Sequence, residues 1–166
     1  MKARAQIEHS PPPLSKKRLR LWLRLLKATR YVEDELRRRL RNDVSSTLPR
    51  FDVMSALSRS PQGLRMNEIS KMLRVSNGNV TGIVDKLAQE GLVLRITPPA
   101  DRRALLVRLT TKGHEEFVRN AAAHEAWIDE IFARLNEDDV DGMILRLDHL
   151  TDKLEEREDV QASSAD

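Results

Sequence analysis

The sequence predicts a mainly α-helical chain with a small β-hairpin wing, arranged as a winged helix-turn-helix with terminal dimerisation helices. Three observations support this fold class. Residues 66–73 and a segment starting at Ser76 have the pattern of two short helices joined by Arg74 and Val75, a connection of helix-turn-helix length. Two aliphatic runs follow, separated by T-P-P-A-D-R-R-A. Both ends of the chain carry long apolar stripes that a small domain of this kind cannot cover by itself.

The first helix is predicted from Lys16 to Arg41, where neither Gly nor Pro occurs and apolar residues recur at helical spacing. Three consecutive prolines precede it and predict a disordered arm. The opposite face of this helix is basic, and we expect it to be solvated and partly paired with the acidic residues 33–35. Residues 42–48 are expected to form a polar connection, after which Pro49 suits the first turn of a second helix.

The second helix of the motif is predicted within residues 75–87, which have the sequence V-S-N-G-N-V-T-G-I-V-D-K-L. Ser76 is placed to cap a helix that begins at Asn77. The apolar residues fall on one stripe, whereas Gly78 and Gly82 lie on the opposite face. Each exposed glycine costs a helix roughly 1 kcal/mol relative to alanine, so the pair indicates a surface that another molecule approaches closely. The alternative is an ordinary surface helix with a glycine-rich N-terminus.

A stiff, exposed hairpin is predicted directly after this helix. Gly91 is expected to end the helix, and Val93–Ile96 and Leu105–Leu109 to form the two strands. Arginines at the tip and on the strands would make the hairpin a basic projection beside the helix, unless it is only a solvated loop. Within the helix, Asp85 and Glu90 are expected to balance charge.

The C-terminal part is predicted to form two further helices. Thr110 or Thr111 can cap the first of them, over residues 112–135. Asn136–Asp139 indicates a break and a cap before a last helix ending near Arg157. The expected domains are therefore a disordered arm over 1–15, dimerisation helices over 16–47 and 112–157, a DNA-binding domain over 48–111 and a disordered tail over 158–166.

The net charge of +3 conceals a division along the chain. Residues 1–114 hold 24 Lys or Arg against 10 Asp or Glu, whereas residues 115–166 hold 5 against 16. A basic body with an acidic end implies a polyanionic partner on one side, although clustered charges can also be a merely solvated surface.

Several classes of protein are excluded or disfavoured by composition. The absence of cysteine excludes disulfides and thiolate metal sites. No apolar run approaches the length of a membrane span and no signal segment is apparent, so we expect a cytoplasmic protein without membrane contact. No nucleophile with its base and no glycine-rich phosphate loop is present, so we expect no enzyme, cofactor or catalytic residue. A metal site at His124 and Glu125, or at His149 and Asp148, is the weaker alternative to ordinary surface histidines.

The motifs G-L-V-L-R, D-R-R-A and L-T-T-K-G, which follow a V-S-x-x-x-V-T helix, resemble the winged helix of MarR-family transcriptional regulators. The resemblance covers residues 16–154. Two residues depart from the family pattern. Arg74 stands where glycine is usual in the turn, and Arg65 replaces the usual Ser or Thr cap. Both departures leave the motif less well capped than expected. The resemblance implies a two-fold homodimer with interlocked terminal helices, bound to an inverted repeat in double-stranded DNA. An intramolecular helical bundle is the alternative.

The resemblance also implies which residues contact DNA. Asparagine is considered a base reader because its amide can pair with both N6 and N7 of adenine. The expected contacts fall into three groups: base readers Asn77, Asn79 and Thr81; phosphate contacts Ser76, Lys86 and Arg95; and the wing tip, with Arg103 in the minor groove, Arg102 nearer the backbone and Asp101 bracing the loop.

An effector cavity between the dimerisation helices and the winged helix is a further implication. Its expected lining combines an apolar wall with a cationic rim: Trp22, Leu26, Pro49, Phe51 and Met54, with Arg20, Arg24, Lys27, Arg30 and Arg50. Residues 18–30, 47–54 and 75–84 are similar to the MarR branch that responds to hydroxycinnamoyl-CoA thioesters. The implied effector is a small anionic aromatic or an aromatic acyl-CoA, acting on a repressor of aromatic catabolism. The alternatives are that these arginines form a solvated helix face, and that the protein is a structural DNA-binding protein without an effector.

Overall fold

The computed structural model describes residues 13–97 and 105–163, with side chains described as far as Glu156. These residues form a helical chain with one small antiparallel sheet, as the sequence predicts. The elements in chain order are α1 (Leu14–Val44), α2 (Leu48–Ser58), β1 (Leu64–Arg65), α3 (Met66–Leu73), α4 (Asn77–Gln89), β2 (Val93–Ile96), β3 (Leu106–Leu109), α5 (Thr111–Phe132) and α6 (Glu137–Ser163).

The first helix is longer than predicted at both ends, because it begins at Leu14, within the predicted arm, and residues 42–44 continue it. Their polar side chains are compatible with a helix, and the helix ends only where Ser45 adopts a left-handed conformation with φ 51°. The amide of Ser46 then donates to the carbonyl of Leu40 at 2.8 Å, which satisfies an end of the helix without glycine. The predicted pairing on the basic face is confirmed, since Arg37 donates to Glu33 at 2.7 Å.

The turn between α3 and α4 contains the predicted departure from glycine. Arg74 has a φ of 52°, a conformation that a non-glycine residue adopts at some cost in energy. At the other end of α3, the carboxylate of Glu68 accepts a hydrogen bond of 2.6 Å from the backbone amide of Arg65. This acidic residue in the first turn compensates for the missing Ser or Thr cap, so the start of the motif is better capped than predicted.

The sheet has a third strand that the sequence analysis missed. The strand order is β1-β3-β2, with Leu64 paired with Val107 and Val93 paired with Leu109. β1 has only two residues, which is too short to show an alternating pattern. Gly63 introduces it with a φ of +94°, and a Cβ there would lie 2.9 Å from the carbonyl oxygen of Val107. The chain can therefore approach β3 this closely only at a glycine.

The core of the helix-turn-helix lies between α2, α3, α4 and the sheet. Its buried residues are Val53, Met54, Leu57, Ile69, Val80, Val84, Leu87, Leu92, Val93 and Val107. Thr110 joins the start of α5 to this core through its hydroxyl group. The hydroxyl accepts from the amide of Gly113 at 2.9 Å and donates to the carbonyl of Gly91 at 2.7 Å. Gly113 is required here because a Cβ would lie 1.9 Å from the carbonyl oxygen of Leu92. This packing explains the L-T-T-K-G motif.

Residues 125–163 belong to a separate compact unit. The predicted cap at its turn is confirmed, since the amide of Asp139 donates to the Asn136 side chain at 2.9 Å. α6 then continues to Ser163, beyond the end predicted at Arg157. Its large apolar side chains remain exposed, with Ile144 and Leu150 exposed by 52% and 51%. None of the helices in the described ranges is both long and apolar enough to cross a membrane.

Candidate nucleic-acid interface

The outer face of α4 is the most unusual surface of the helix-turn-helix. Ser76 caps the helix as predicted, because its hydroxyl accepts from the amide of Asn79 at 3.4 Å. Gly78, Thr81 and Gly82 lie on the exposed face, and a Cβ at either glycine would meet nothing within 4 Å. No contact among the described residues therefore requires glycine, although each one weakens the helix by roughly 1 kcal/mol relative to alanine. An external molecule that approaches the backbone closely would explain both.

The three residues predicted to contact bases differ in the contacts that they make within the chain. The side-chain oxygen of Asn77 accepts a 2.5 Å hydrogen bond from the hydroxyl of Ser70, which joins α3 to α4. That oxygen is thus engaged in joining α3 to α4, so a two-point contact of Asn77 with adenine would have to share this oxygen with Ser70. Thr81 donates to the carbonyl of Asn77 at 2.9 Å and lies on the face of the two glycines. Asn79 is exposed but lies at the edge of that face, beside a cleft.

The root of the wing is tied to α4 by an ion pair. Arg95 on β2 donates to the carboxylate of Asp85, which confirms the charge-balancing role predicted for this acid. Arg95 remains about one-third exposed, so a phosphate would have to share it with Asp85. The three predicted wing-tip residues Asp101, Arg102 and Arg103 lie outside the described residues, and their roles stay predictions.

A cleft of about 650 Å³ lies between α4 and the α1–α2 corner. Its apolar lining includes Pro49, Leu73 and Ile83, and its cations are Arg37, Arg50 and Lys86. Among the residues that the structure describes, no carboxylate forms an ion pair with Lys86, whereas Arg37 pairs with Glu33 and with Asp34.

The cleft also contains a carboxylate with an altered affinity for protons. Burial raises the pKa of Asp52, and the nearby charge of Glu33 acts in the same direction. Arg37 opposes this effect, as expected of a neighbouring cation. The cleft therefore combines an apolar wall with cations and a carboxyl group that protonates more readily than usual.

The residues predicted to bind an effector are not brought together in one site. Of these residues, Arg50 and Pro49 line the cleft, whereas Met54 is fully buried in the core. Phe51 stacks on the ring of His124 with a centroid distance of 4.6 Å, and burial lowers the pKa of that histidine. The others lie on α1: Leu26, Lys27 and Arg30 along a shallow groove, and Arg20, Trp22 and Arg24 on its exposed surface.

Sequence reasoning missed most of the cleft lining. Asn79, Ile83 and Lys86 recur at helical spacing and face the cleft together, so their periodicity on α4 was the available signal. No local pattern predicted that Glu33 and Arg37 line the cleft, because they lie on α1, which is distant in sequence from α4.

The charge-balancing role predicted for Glu90 is confirmed by a contact between α2 and the end of α4. The two terminal nitrogens of Arg50 donate to the two carboxylate oxygens of Glu90, each at 2.5 Å. This is the two-point geometry in which a guanidinium matches a carboxylate. Lys112 adds a 2.8 Å hydrogen bond from its ammonium group to the carbonyl of Glu90.

Comparisons with known proteins are consistent with this architecture. Residues 46–105 match the model of the MarR family. The chain is 34% identical over 98 residues to the uncharacterized HTH-type transcriptional regulator YkoM of Bacillus subtilis, covering 58% of this chain and 62% of that protein, which is less than two thirds of its length. It is 29% identical over 130 residues to the HTH-type transcriptional regulator MhqR of the same organism, covering 77% of this chain and 87% of that protein.

A solved structure extends the likeness to the fold. A MarR family transcriptional regulator from Streptomyces coelicolor, solved in complex with DNA, superposes with a TM-score of 0.75. The identity is 24%, and the superposition covers 89% of this chain and 93% of that one. These similar proteins are transcriptional regulators rather than enzymes.

Proposed function

We propose that this chain belongs to the MarR family of transcriptional regulators, and that it is a ligand-responsive, dimeric repressor that binds a palindromic operator. The observation that carries the proposal is the exposed face of α4, where Gly78 and Gly82 lie beside Thr81 and no contact with another described residue explains either glycine. A helix that enters the major groove needs such a face, since bulky side chains would hold its backbone away from the bases. The DNA complex of the Streptomyces coelicolor relative supports this choice of partner.

The proposed complex places α4 of each subunit in one half-site. Thr81 and Asn79 contact bases, while Ser76, Lys86 and Arg95 contact phosphates. In the wing, Arg103 enters the minor groove and Arg102 lies nearer the backbone. Half-sites about one helical turn apart follow from a two-fold dimer.

Selection from random DNA duplexes tests this proposal directly. We expect enrichment of an inverted repeat, followed by protection of both half-sites in footprinting. Enrichment of a single half-site, or of no sequence at all, would contradict the proposal that a dimer binds an inverted repeat. Sequence-independent binding would instead favour a structural DNA-binding protein.

Dimerisation is proposed from the exposed apolar surface of the terminal helices. Leu19, Trp22 and Leu23 on α1 are exposed by 57%, 57% and 54%. On α6, Met143, Ile144 and Leu147 are exposed by 41%, 52% and 41%. Apolar surface of this extent on a soluble regulator is stabilised when a second copy covers it.

The proposed effector is a small aromatic acid or its CoA thioester, which would relieve repression of genes for aromatic catabolism. The cleft beside α4 supports this class of ligand, because it offers an apolar wall and the ammonium group of Lys86. The basic residues Arg20, Arg24, Lys27 and Arg30 are proposed to contact the nucleotide phosphates of a thioester.

Separate titrations with p-coumaroyl-CoA, p-coumarate and CoA test the effector. Fluorescence anisotropy of the selected operator measures release of the protein from DNA. We expect release by the thioester or by the free acid, and none by CoA alone. Release by the acid but not by the thioester would refute the thioester as effector. Retention of the operator with all three would contradict a role for this class of ligand.

A further inference from the structure

Arg50 stands at the boundary between two cavities. It lines the cleft beside α4, and it also lines a second cavity of about 470 Å³ with Glu90, Glu116 and Asn120. Arg50 thus borders open space on two sides, although only 18% of its side chain is exposed. An arginine at the boundary between two open spaces is well placed to bind an anion that enters either of them.

Glu90 already occupies the position that such an anion would take. Its two oxygens accept the two terminal N–H groups of Arg50, and its own side chain remains 46% exposed. The pKa of Arg50 is raised and that of Glu90 is lowered, in each case chiefly by this hydrogen bonding. The Nε atom of Arg50 is buried and has no hydrogen-bond partner among the described residues. The pair is thus strongly polar, partly open to solvent and incompletely satisfied.

We propose that Glu90 is an internal competitor for an anion site centred on Arg50, and that the carboxylate of the effector takes its place. This inference rests on the proposed function, because it specifies how an aromatic acid is bound and detected. The incoming carboxylate accepts the two N–H groups that Glu90 releases, and Lys86 on the cleft side supplies a second positive charge. The aromatic ring occupies the apolar part of the cleft, against Pro49 and Ile83.

The exchange changes how the recognition helix is held. Glu90 is the residue that ends α4, and its carboxylate ties that end to α2. Once Arg50 binds the effector, the side-chain tie of this end to α2 is lost, whereas Lys112 and Thr110 still donate to the backbone carbonyls of Glu90 and Gly91. The glycine face of α4 belongs to the same rigid helix. Loss of this tie therefore alters how the DNA-contacting helix is held against α2. In the effector complex Arg50 binds the effector, whereas in the operator complex it binds Glu90. This difference is the differential interaction that allosteric coupling requires.

The matched pair Glu90→Gln and Glu116→Gln tests the competition. Both substitutions remove one negative charge near Arg50, since the charge of Glu116 also raises the pKa of Arg50. Of these two acids, Glu90 is the one hydrogen-bonded to Arg50. Isothermal titration calorimetry of the full chain with p-coumarate measures the affinity. We expect Glu90→Gln to bind about tenfold more tightly than the parent, and Glu116→Gln within about twofold of it. Arg50→Met should lose most of the binding.

Equal affinities of the parent, Glu90→Gln and Glu116→Gln would overturn the proposal, and so would unchanged binding by Arg50→Met. Absence of binding by Glu90→Gln to both p-coumarate and benzoate would also overturn it, because Arg50 then has no competitor. If Glu90→Gln fails to fold, Glu90→Asp serves instead: its shorter side chain weakens the two-point contact, so an affinity above that of the parent is expected. Release of operator from the parent by p-coumaroyl-CoA is scored separately. That result, together with equal affinities, would retain the proposed function while rejecting the role of Glu90.

Discussion

Replacing Gly82 by alanine separates the stability of α4 from its function. A Cβ at this position would meet no described atom within 4 Å, so the substitution introduces no clash with the part of the chain that the structure describes. Alanine in an exposed helix is favoured over glycine by about 1 kcal/mol, which corresponds to a rise in Tm of about 2–4 °C for a protein of this size. If the helix packs closely against DNA, the same methyl group overpacks that interface at a cost of about 1–3 kcal/mol. We therefore expect a more stable protein that binds its operator roughly 5- to 150-fold more weakly.

Thermal denaturation and fluorescence anisotropy with the selected operator measure the two effects on the same preparation. Gly142→Ala is the matched control, because Gly142 lies within α6 and the nearest atom that a Cβ would meet is the flexible end of Arg146. This control should not weaken operator binding. If Gly82→Ala is stabilised and still binds the operator as tightly as the parent, DNA does not approach this face and the reasoning is wrong. A variant that is more stable but binds the operator more weakly, by contrast, would indicate that the added methyl group contacts DNA.

Three further predictions concern the base contacts, the dimer and the cleft. Asn79→Ala should cost about 1–3 kcal/mol on the selected operator and much less on random DNA, with Gln89→Ala as a control on the same helix. Equal losses on both DNAs would exclude base contact by Asn79. Deletion of residues 139–166 removes the exposed apolar stripe of α6 and should give a monomeric or insoluble protein; a well-behaved dimer by light scattering would place the interface elsewhere. Asp52→Asn should raise stability at neutral pH, because burial raises the pKa of Asp52 in the folded chain, so ionising it opposes folding. That gain should disappear as the pH falls below the unfolded value of about 3.9, and a gain that persists in acid would show another cause.

The sequence by itself determined the local features of the helix-turn-helix. The bounds of α3, the start of α4 at Asn77 and the strand Val93–Ile96 agree with the structure. Each depends on signals within a few neighbouring residues, such as helical periodicity, the Ser76 cap and aliphatic runs. Where such a signal was weak, the prediction failed: polar residues after Arg41 stay helical, and the strand β1 is too short to have a pattern.

The tertiary structure alone decided which side chains meet. Arg50 and Glu90 are 40 positions apart, and neither residue shows in the sequence that its partner is the other. Likewise, the hydrogen bond from Ser70 to Asn77 forms only because α3 packs across α4, and it gives a structural contact to a side chain that the sequence assigned to DNA alone. The cleft follows the same principle, since it combines residues of α1, α2 and α4. Local periodicity specifies the elements of this chain, but charge pairing and cavity lining arise from contacts between elements, which form only when the chain is folded.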